Sequence, residues 1–222
     1  MDRIGLFGGT FNPIHCGHLE AANGVKQAFG LTTVYLILSA VPPHKTSREL
    51  AEAETRLDMA RLAVENHSFL SISDLELKRE GPSFTIDTVR FFKKYAPAGT
   101  RLYWILGLDA FLEIDTWKSY MDLFHAIPFI VMARPGTAGG PAAPWWKDVE
   151  RFLRSRISTG YTFSPENLSF TAPESEPVYL FEGTPLNISS TDIRRRISSG
   201  QSIHSLVPPR VEDYINDKRI YR

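Results

Sequence analysis

Two patterns of apolar residues alternate along the chain: short continuous runs, and longer segments in which apolar residues recur every three or four positions. Continuous β-prone runs, such as residues 34–38, are typical of parallel strands covered on both faces. Leu19, Ala22, Val25 and Phe29 have the spacing of an amphipathic helix. Because runs and helical segments alternate, the pattern predicts an α/β protein with a doubly wound, Rossmann-like parallel sheet.

The predicted strands cover residues 3–7, 34–38, 69–72, 101–107, 129–132 and 178–181. The predicted helices cover residues 15–29, 53–65, 82–95, 117–124, 145–157, 191–199 and 208–217. Gly30 is the expected end of the first helix. Residues 158–177 form a polar stretch that leads into the last strand.

Residues 134–144 are the clearest linker, because their Gly, Pro and Ala content suits neither a helix nor a central strand. A chain of 222 residues is long enough to bury a sizeable core as one domain. We expect a core sheet over residues 1–133, a linker and peripheral helix over 134–177, and a last strand with C-terminal helices over 178–222.

Composition excludes several classes of protein. The 25 basic side chains balance 25 acidic ones, which argues against a partner made of nucleic acid. The single cysteine, Cys16, has no partner for an internal disulfide, as in proteins of a reduced compartment. No apolar run approaches the roughly 20 residues that span a bilayer. We therefore expect a cytoplasmic protein; the oligomeric state is left open.

A Gly-rich turn, residues 8–18, joins the first predicted strand to the first helix. In an open parallel sheet, ligands bind beyond the carboxyl ends of the strands, where this turn lies. Gly8 and Gly9 would let backbone N–H groups approach a phosphate. His15 and His18 are three positions apart beside the positive end of the helix. The turn therefore predicts a polyphosphate site.

Other ligands fit this turn less well. The sequence has neither G-x-x-x-x-G-K-[ST] nor G-x-G-x-x-G, so it is neither a P-loop nor an ordinary dinucleotide-binding turn. The two histidines could instead cap and pack the helix, or bind a metal. A zinc site would need a third protein ligand, and no cysteine or carboxylate obviously supplies one.

A second cluster, residues 188–194, precedes a C-terminal helix. Ser189, Ser190 and Thr191 are good N-cap residues, and a phosphate chain could accept from the N–H groups of the first turn. Arg194 could hold a phosphate bidentately. The alternative is a capped helix with solvated arginines, which we favour for the two arginines that follow but not for Arg194.

Both clusters resemble motifs of one superfamily. Residues 8–18 resemble the GGTF(D/N)PxHxGH signature of the HxGH nucleotidyltransferases, relatives of the class I aminoacyl-tRNA synthetases, and residues 188–194 resemble their ISSTxIR motif. Further segments make nearly the whole chain similar to the bacterial nicotinate mononucleotide adenylyltransferase family: residues 41–45, 76–79, 82–88, 107–109 with Trp117, and 133–136. The resemblance implies a single nucleotidyltransferase domain that transfers an adenylyl group from ATP to nicotinate mononucleotide in NAD biosynthesis.

The resemblance also implies roles for individual residues. The catalytic cations and hydrogen-bond donors are His15, His18, Lys45 and Arg194. The ATP-binding residues are Gly8, Gly9, Thr10, Phe11, Gly107, Asp109, Ile188, Ser189, Ser190 and Thr191. The residues that bind the second substrate are Ser39, His44, Phe84, Thr85, Trp117 and Arg134. Mg²⁺ accompanies ATP, with no metal ligand from the protein.

Physical chemistry supports several of these roles. Thr85 is expected at a helix start, where free N–H groups suit a nicotinate carboxylate better than an uncharged amide. Trp117 could stack on the pyridine ring, although a core position is its ordinary role. Asp109 could accept from ribose hydroxyls or cap a helix. Lys45 would neutralise phosphate charge, and its alternative is a solvated loop lysine.

Two residues depart from the family pattern. Asn12 stands where many members have Asp, and Ala40 stands where an Asn commonly orients the mononucleotide.

Two other functions remain open besides adenylyl transfer to nicotinate mononucleotide. One is an adenylyltransferase for nicotinamide mononucleotide or another phosphate monoester, and the other is a nucleotide-binding sensor without catalysis.

Overall fold

The computed structural model describes residues 1–40, 50–133, 144–183 and 188–222. Its strands are β1 Arg3–Gly9, β2 Thr33–Leu38, β3 Leu70–Ser73, β4 Arg101–Gly107, β5 Phe129–Ala133, β6 Thr162–Ser164, β7 Ser169–Ala172 and β8 Ser175–Glu182. They form one sheet in the order β3-β2-β1-β4-β5-β8-β7-β6. Strands β1 to β5 and β8 pair in parallel, so the predicted doubly wound sheet is confirmed.

The α-helices are α1 Cys16–Phe29, α2 Ala53–Val64, α3 Thr85–Tyr95, α4 Leu108–Leu112, α5 Tyr120–Ala126, α6 Trp146–Phe152, α7 Ser190–Ser198 and α8 Pro209–Lys218. A 3₁₀ turn, Ile114–Thr116, follows α4, and a π-helical turn, Leu153–Ile157, follows α6. Gly30 ends α1 in the left-handed conformation, with φ 59°, as its position predicted. No helix in the described ranges is long and apolar enough to cross a membrane.

The sheet places two strand ends side by side at its centre. β1 pairs with β2 on one side and with β4 on the other. The chain first adds β2 and β3 on one side of β1 and then crosses over to add β4 on the other side. In open α/β sheets ligands bind at this switch point, beyond the carboxyl ends of the strands. Here those ends are Gly9 and Gly107.

Apolar side chains are buried on both faces of the sheet. In β2 the neighbours Leu36 and Ile37 are both buried, but they belong to cores on opposite faces. Buried residues of α1, α2, α7 and α8 form the first core, and those of α3 to α6 form the second. The continuous apolar run over 34–38 thus reflects a strand that is covered on both sides.

The assignment of residues 134–177 as linker and peripheral helix was incomplete. The polar stretch within it contains β6 and β7, an antiparallel extension of the sheet. Two aromatic residues stabilise this extension: Phe163 stacks on Trp146 with ring centroids 4.4 Å apart, and Phe170 is fully buried. The strands were overlooked because each is too short for alternation to emerge from the polar residues around it. Residues 134–143 of the predicted linker lie outside the described part.

Two helix boundaries also differ. The helix expected from residue 82 begins at Thr85, after the Pro82 turn, and the helix expected over 117–124 is Tyr120–Ala126. Trp117 itself follows two short helical segments, Leu108–Leu112 and Ile114–Thr116, and lies before the helix rather than at its start. These shifts move Phe84 and Trp117 into segments that border the site described next.

Candidate functional site

The turn after β1 is shaped by two aromatic rings. A Cβ on Gly8 would lie 2.7 Å from Cζ2 of Trp104, and a Cβ on Gly9 would lie 2.7 Å from Cζ of Phe11. Phe11 is buried and has a φ of 48°, which is uncommon for a residue with a side chain. Packing against these rings therefore requires glycine at both positions.

His15 and His18 form a stacked pair at the start of α1. Their ring centroids are 3.7 Å apart, and the His15 side chain is buried. The His15 backbone N–H donates to Nδ1 of His18 at 3.3 Å, so neutral His18 carries its proton on Nε2. Phe11 packs edge-on against His18 with centroids 5.0 Å apart. These contacts fix the His18 ring in one orientation at the positive end of the helix.

Gly17 makes room for this arrangement. A Cβ there would lie 3.0 Å from Nδ1 of His15 and 3.6 Å from Cβ of Ile188. The absence of a side chain lets the His15 ring lie against the first turn of α1 and lets the segment before α7 approach. The glycine in the HxGH pattern therefore has a packing reason.

The second motif lies against the first. Ser190 Oγ donates to the carbonyl of Pro13 at 2.9 Å, and Arg194 Nη1 donates to the carbonyl of Asn12 at 3.0 Å. Ser189 caps α7 by accepting from the N–H of Asp192 at 3.1 Å. The N–H groups of Ser190 and Thr191, in the first turn of α7, have no acceptor within the helix. Two helix N-termini thus converge on one turn.

Asn12 joins the turn to the C-terminus. It is buried, and its Oδ1 accepts from the Tyr221 hydroxyl at 2.7 Å and from the Ala51 N–H at 3.1 Å. Burial raises the pKa of Tyr221, which keeps the hydroxyl a donor. An amide oxygen is sufficient for both bonds, so the departure from Asp is compatible with this structure.

Arg56 is the main structural residue that the sequence did not single out. Its guanidinium is fully buried and donates to the carbonyls of Thr10, Ser39, Ala40 and Ala51 at 2.7 to 3.0 Å. Burial lowers the pKa of this group. Arg56 thereby joins the strand ends of β1 and β2. Its position on the apolar side of α2 was the signal in the sequence, because buried residues follow it at three- and four-residue spacing.

A cavity of about 360 Å³ opens between the ends of β1 and β4, the start of α3 and the segment around Trp117. Many of the predicted site residues line it: Gly8, Gly9, Thr10, Ser39, Phe84, Thr85, Gly107 and Trp117. Phe84, Trp104 and Trp117 give the cavity an aromatic wall. We call this space the aromatic cavity.

The start of α3 supplies polar groups to the aromatic cavity. The first helical bonds run from the N–H groups of Asp87 and Thr88 to the carbonyl of Phe84, so the N–H groups of Thr85 and Ile86 have no partner within the helix. Thr88 Oγ1 donates to Oε1 of Glu76 at 2.7 Å.

Two charged residues in the wall of the aromatic cavity were not among the predicted site residues. Glu76 is buried, and this burial raises the pKa of its carboxyl. Lys118 Nζ lies 4.3 Å from the centroid of the Phe84 ring and 3.6 Å from Asp87 Oδ2. The only signal for Lys118 in the sequence is that it follows Trp117, and a charged residue next to a tryptophan is too common a pattern to identify a binding site.

Other predicted residues are not joined to these groups. Asp109 is exposed in the first turn of α4 and does not line the aromatic cavity. His44, Lys45 and Arg134 lie outside the described residues. Within the described residues, no group of three His, Cys, Asp or Glu side chains could hold a metal ion.

Known proteins match the chain over its whole length. A sequence model of the cytidylyltransferase-like family matches residues 6–196. A relative from Desulfatibacillum aliphaticivorans is 41% identical over 220 residues, 99% of each chain, and one from Geobacter sulfurreducens is 39% identical over 99% of this chain and 98% of its own. Both bear the name "Probable nicotinate-nucleotide adenylyltransferase".

The fold matches solved structures as well. The structure of Plasmodium falciparum nicotinic acid mononucleotide adenylyltransferase complexed with NaAD superposes with a TM-score of 0.73 at 20% identity, covering 100% of this chain and 98% of the other. The same protein complexed with APC gives a TM-score of 0.71 at 19% identity, again over 100% and 98%. At this identity the likeness establishes the fold.

Proposed function

The chain belongs to the cytidylyltransferase-like family, and we propose that it transfers an adenylyl group from ATP to nicotinate mononucleotide, forming deamido-NAD and pyrophosphate in NAD biosynthesis. The two relatives that match 99% of the chain are named for this activity. The observation that supports it most is the junction at the end of β1. There α7 bonds to Asn12 and Pro13, just before the histidine pair, and the preceding residues 8–10 of the same turn line the aromatic cavity.

These two regions, the histidine pair with α7 and the aromatic cavity, suit the two substrates. Convergent helix N-termini with His15, His18 and Arg194 suit a polyphosphate. The aromatic cavity suits a pyridine ring, which in the mononucleotide carries a positive charge and can stack on aromatic faces. Gly8, Gly9 and Thr10 border the cavity and continue into the turn, so we place the reacting phosphates over them.

The reaction needs no protein nucleophile. An oxygen of the mononucleotide 5′-phosphate attacks the α-phosphorus of ATP in line, a new P–O bond forms, and the bond from the α-phosphorus to the bridging oxygen of the β-phosphate breaks. Pyrophosphate leaves with that electron pair. The attacking oxygen is already anionic, so no general base is required. Catalysis then consists of positioning and of neutralising charge on the phosphates.

We assign the phosphate contacts to residues of the two motifs. His18 donates from Nε2, because its Nδ1 accepts from the backbone. Arg194 donates to the carbonyl of Asn12 and to Oγ1 of Thr191, and the planar fork of a guanidinium matches the geometry of phosphate oxygens. His15 and the free N–H groups at the start of α7 complete the set. Lys45 keeps its proposed role as a cation over the triphosphate.

We assign the mononucleotide to the aromatic cavity. The pyridine ring stacks on Trp117 and Phe84, and the nicotinate carboxylate accepts from N–H groups at the start of α3, near Thr85. Ser39, directly after β2, also lines this cavity. His44 and Arg134 remain proposed substrate contacts, and Asp109 and Gly107 remain proposed contacts to ATP.

A divalent cation, Mg²⁺, would enter with ATP. Mg²⁺ keeps several waters and binds substrate phosphates rather than dedicated protein cages. When bound, it would offset the negative charge of the phosphates.

Release of pyrophosphate tests the proposal. Purified protein is incubated with ATP and Mg²⁺, and with nicotinate mononucleotide, nicotinamide mononucleotide or no acceptor. We expect pyrophosphate release with both acceptors and a higher kcat/KM for the acid. A higher kcat/KM for the amide would instead indicate the sister adenylyltransferase, and nucleotide binding with no release would indicate a sensor.

A further inference from the structure

Lys118 places a positive charge in the wall of the aromatic cavity. Its ammonium lies 4.3 Å from the centroid of the Phe84 ring. The residue directly follows Trp117, which lines the same cavity. The aromatic walls and the charge therefore come from neighbouring positions, and the charge lies beside the ring that we assign to pyridine stacking.

The ion pair of Lys118 does not account for this position. Asp87 Oδ2 is 3.6 Å from Lys118 Nζ, too long for a good hydrogen bond, and the same carboxylate lies 3.6 Å from Nη1 of Arg90. The Lys118 side chain is 50% exposed, and a surface ion pair of this kind contributes little to stability. An ammonium has three donors, so one distant carboxylate does not use its hydrogen-bonding capacity.

We propose that Lys118 is a specificity-determining residue that selects nicotinate mononucleotide over nicotinamide mononucleotide. This inference rests on the proposed function and names a residue that sets its substrate preference. The ammonium attracts the carboxylate of the acid and supplements the N–H groups at the start of α3.

The same charge also disfavours the amide. In both mononucleotides the ring nitrogen carries the ribose, so the pyridine ring is a cation. In the acid the carboxylate cancels this charge, whereas in the amide the ring remains positive and is repelled by Lys118. Specificity is a difference of two binding free energies, and one ammonium changes both terms in the same direction.

Other charges near the aromatic cavity act against or beside Lys118. Glu76 and Asp87 are acidic and would favour a cationic ring, while Arg79 lies near Glu76 and Arg90 lies near Asp87. These groups are unchanged when Lys118 alone is replaced. A comparison of the two substrates in the wild type and in a Lys118 variant therefore isolates the contribution of the ammonium.

Lys147 offers a matched control. Its Nζ also lies 4.3 Å from an aromatic centroid, that of Trp146, and it pairs with Glu150 at 3.0 Å. Its side chain is 49% exposed, and it does not line the aromatic cavity. Lys147→Met thus removes the same kind of cation–π contact at a place without a substrate.

The test compares kcat/KM for the two mononucleotides in the wild type, Lys118→Met, Lys118→Arg and Lys147→Met. We expect Lys118→Met to lower the acid-to-amide ratio about tenfold, equivalent to about 1.4 kcal/mol. Lys118→Arg should keep most of the ratio, because it keeps the charge, and Lys147→Met should keep all of it. An unchanged ratio in Lys118→Met, or an equal loss in Lys147→Met, would overturn the inference.

Salt provides a second measurement on the unmodified protein. Because a half-exposed charge is screened, the acid-to-amide ratio of the wild type should fall when NaCl is raised from about 50 to about 500 mM. A ratio independent of salt contradicts the inference, even if Lys118→Met folds poorly. Pyrophosphate release by the wild type with nicotinate mononucleotide tests the proposed function separately. If release occurs but the acid-to-amide ratio changes neither with salt nor in Lys118→Met, the proposed function stands and the role of Lys118 is wrong.

Discussion

The turn between β1 and α1 and the aromatic cavity are built in opposite ways, although they share Gly8, Gly9 and Thr10. The turn is one continuous segment whose rings, glycines and backbone donors constrain each other. The aromatic cavity combines residues from several separate segments, among them the ends of β1, β2 and β4, the start of α3 and the loop at Trp117. A phosphate site needs backbone groups and cations in a fixed array, and one short segment of sequence can encode it. A site for an aromatic ring needs side chains on several sides, and only the tertiary structure brings these together.

The turn should be the region most sensitive to a single side chain. We expect His18→Ala to lower kcat by roughly 10²–10³-fold, because one preorganised donor to the phosphates is lost. His204→Ala is the control, since His204 is an exposed histidine that lies 3.3 Å from Glu212 and belongs to neither motif. Steady-state kinetics with nicotinate mononucleotide measures both. Near-normal kcat in His18→Ala would remove the catalytic assignment.

Arg56 tests whether the two regions depend on one support. Arg56→Met should destabilise the fold by about 3 kcal/mol, because it removes a fully buried guanidinium that donates to the carbonyls of Thr10, Ser39 and Ala40. Urea unfolding measures the change. Arg61→Met is the matched control in the same helix: its ion pairs, at 3.8 Å, involve a side chain that is 56% exposed, and such pairs contribute less than about 1 kcal/mol. Similar losses in both variants would contradict the supporting role of Arg56.

Two glycines of α1 separate a local packing effect from an effect on catalysis. A Cβ at Gly17 would lie 3.0 Å from the His15 ring, and a Cβ at Gly24 would lie 3.0 Å from the Phe181 ring. Gly17→Ala should lower kcat about tenfold, since a displaced ring costs about 1.4 kcal/mol of transition-state stabilisation. Gly24→Ala makes a similar contact away from the turn, so its kcat should stay close to that of the wild type. Equal kcat in the two variants would show that the position of His15 is unimportant.

Glu76 gives the smallest expected effect and reports on the aromatic cavity. Burial raises the pKa of its carboxyl above the ordinary value of 4.5, so the folded protein binds this proton more tightly than the unfolded chain does. The stabilisation from the bound proton is complete below pH 4.5 and is lost as the pH rises through the raised pKa. Glu76→Gln should remove this loss while still accepting from Thr88. Free energies of unfolding of both proteins between about pH 4 and 7 would test it; parallel curves would contradict it.

The sequence predicted the turn better than the aromatic cavity for the same physical reason. His15, His18 and Gly17 lie within one helical turn, so their proximity follows from local geometry. The contacts of Ser190 with Pro13 and of Arg194 with Asn12 depend on the fold, because the two motifs lie far apart in the sequence. Phe84 and Trp117 were identified only through the family resemblance.

Arg56, Glu76 and Lys118 were outside the predicted site because a charge in a helix or loop is usually solvated. Their roles depend on what the tertiary structure places around them: carbonyls around Arg56, Thr88 beside Glu76, and the Phe84 ring beside Lys118. The sequence does not reveal strands β6 and β7 for a related reason, since their stability comes from tertiary contacts rather than from their own sequence pattern: β6 pairs with β7, β7 pairs with β8, and Phe163 stacks on Trp146.

The most direct test of the account is identification of the product. The wild-type protein is incubated with ATP, Mg²⁺ and nicotinate mononucleotide, and the mixture is separated and analysed by mass spectrometry while pyrophosphate is quantified in parallel. The account predicts deamido-NAD and pyrophosphate in equal amounts, with no pyrophosphate when the mononucleotide is omitted. Pyrophosphate without the dinucleotide, or no turnover of either substrate, would contradict it.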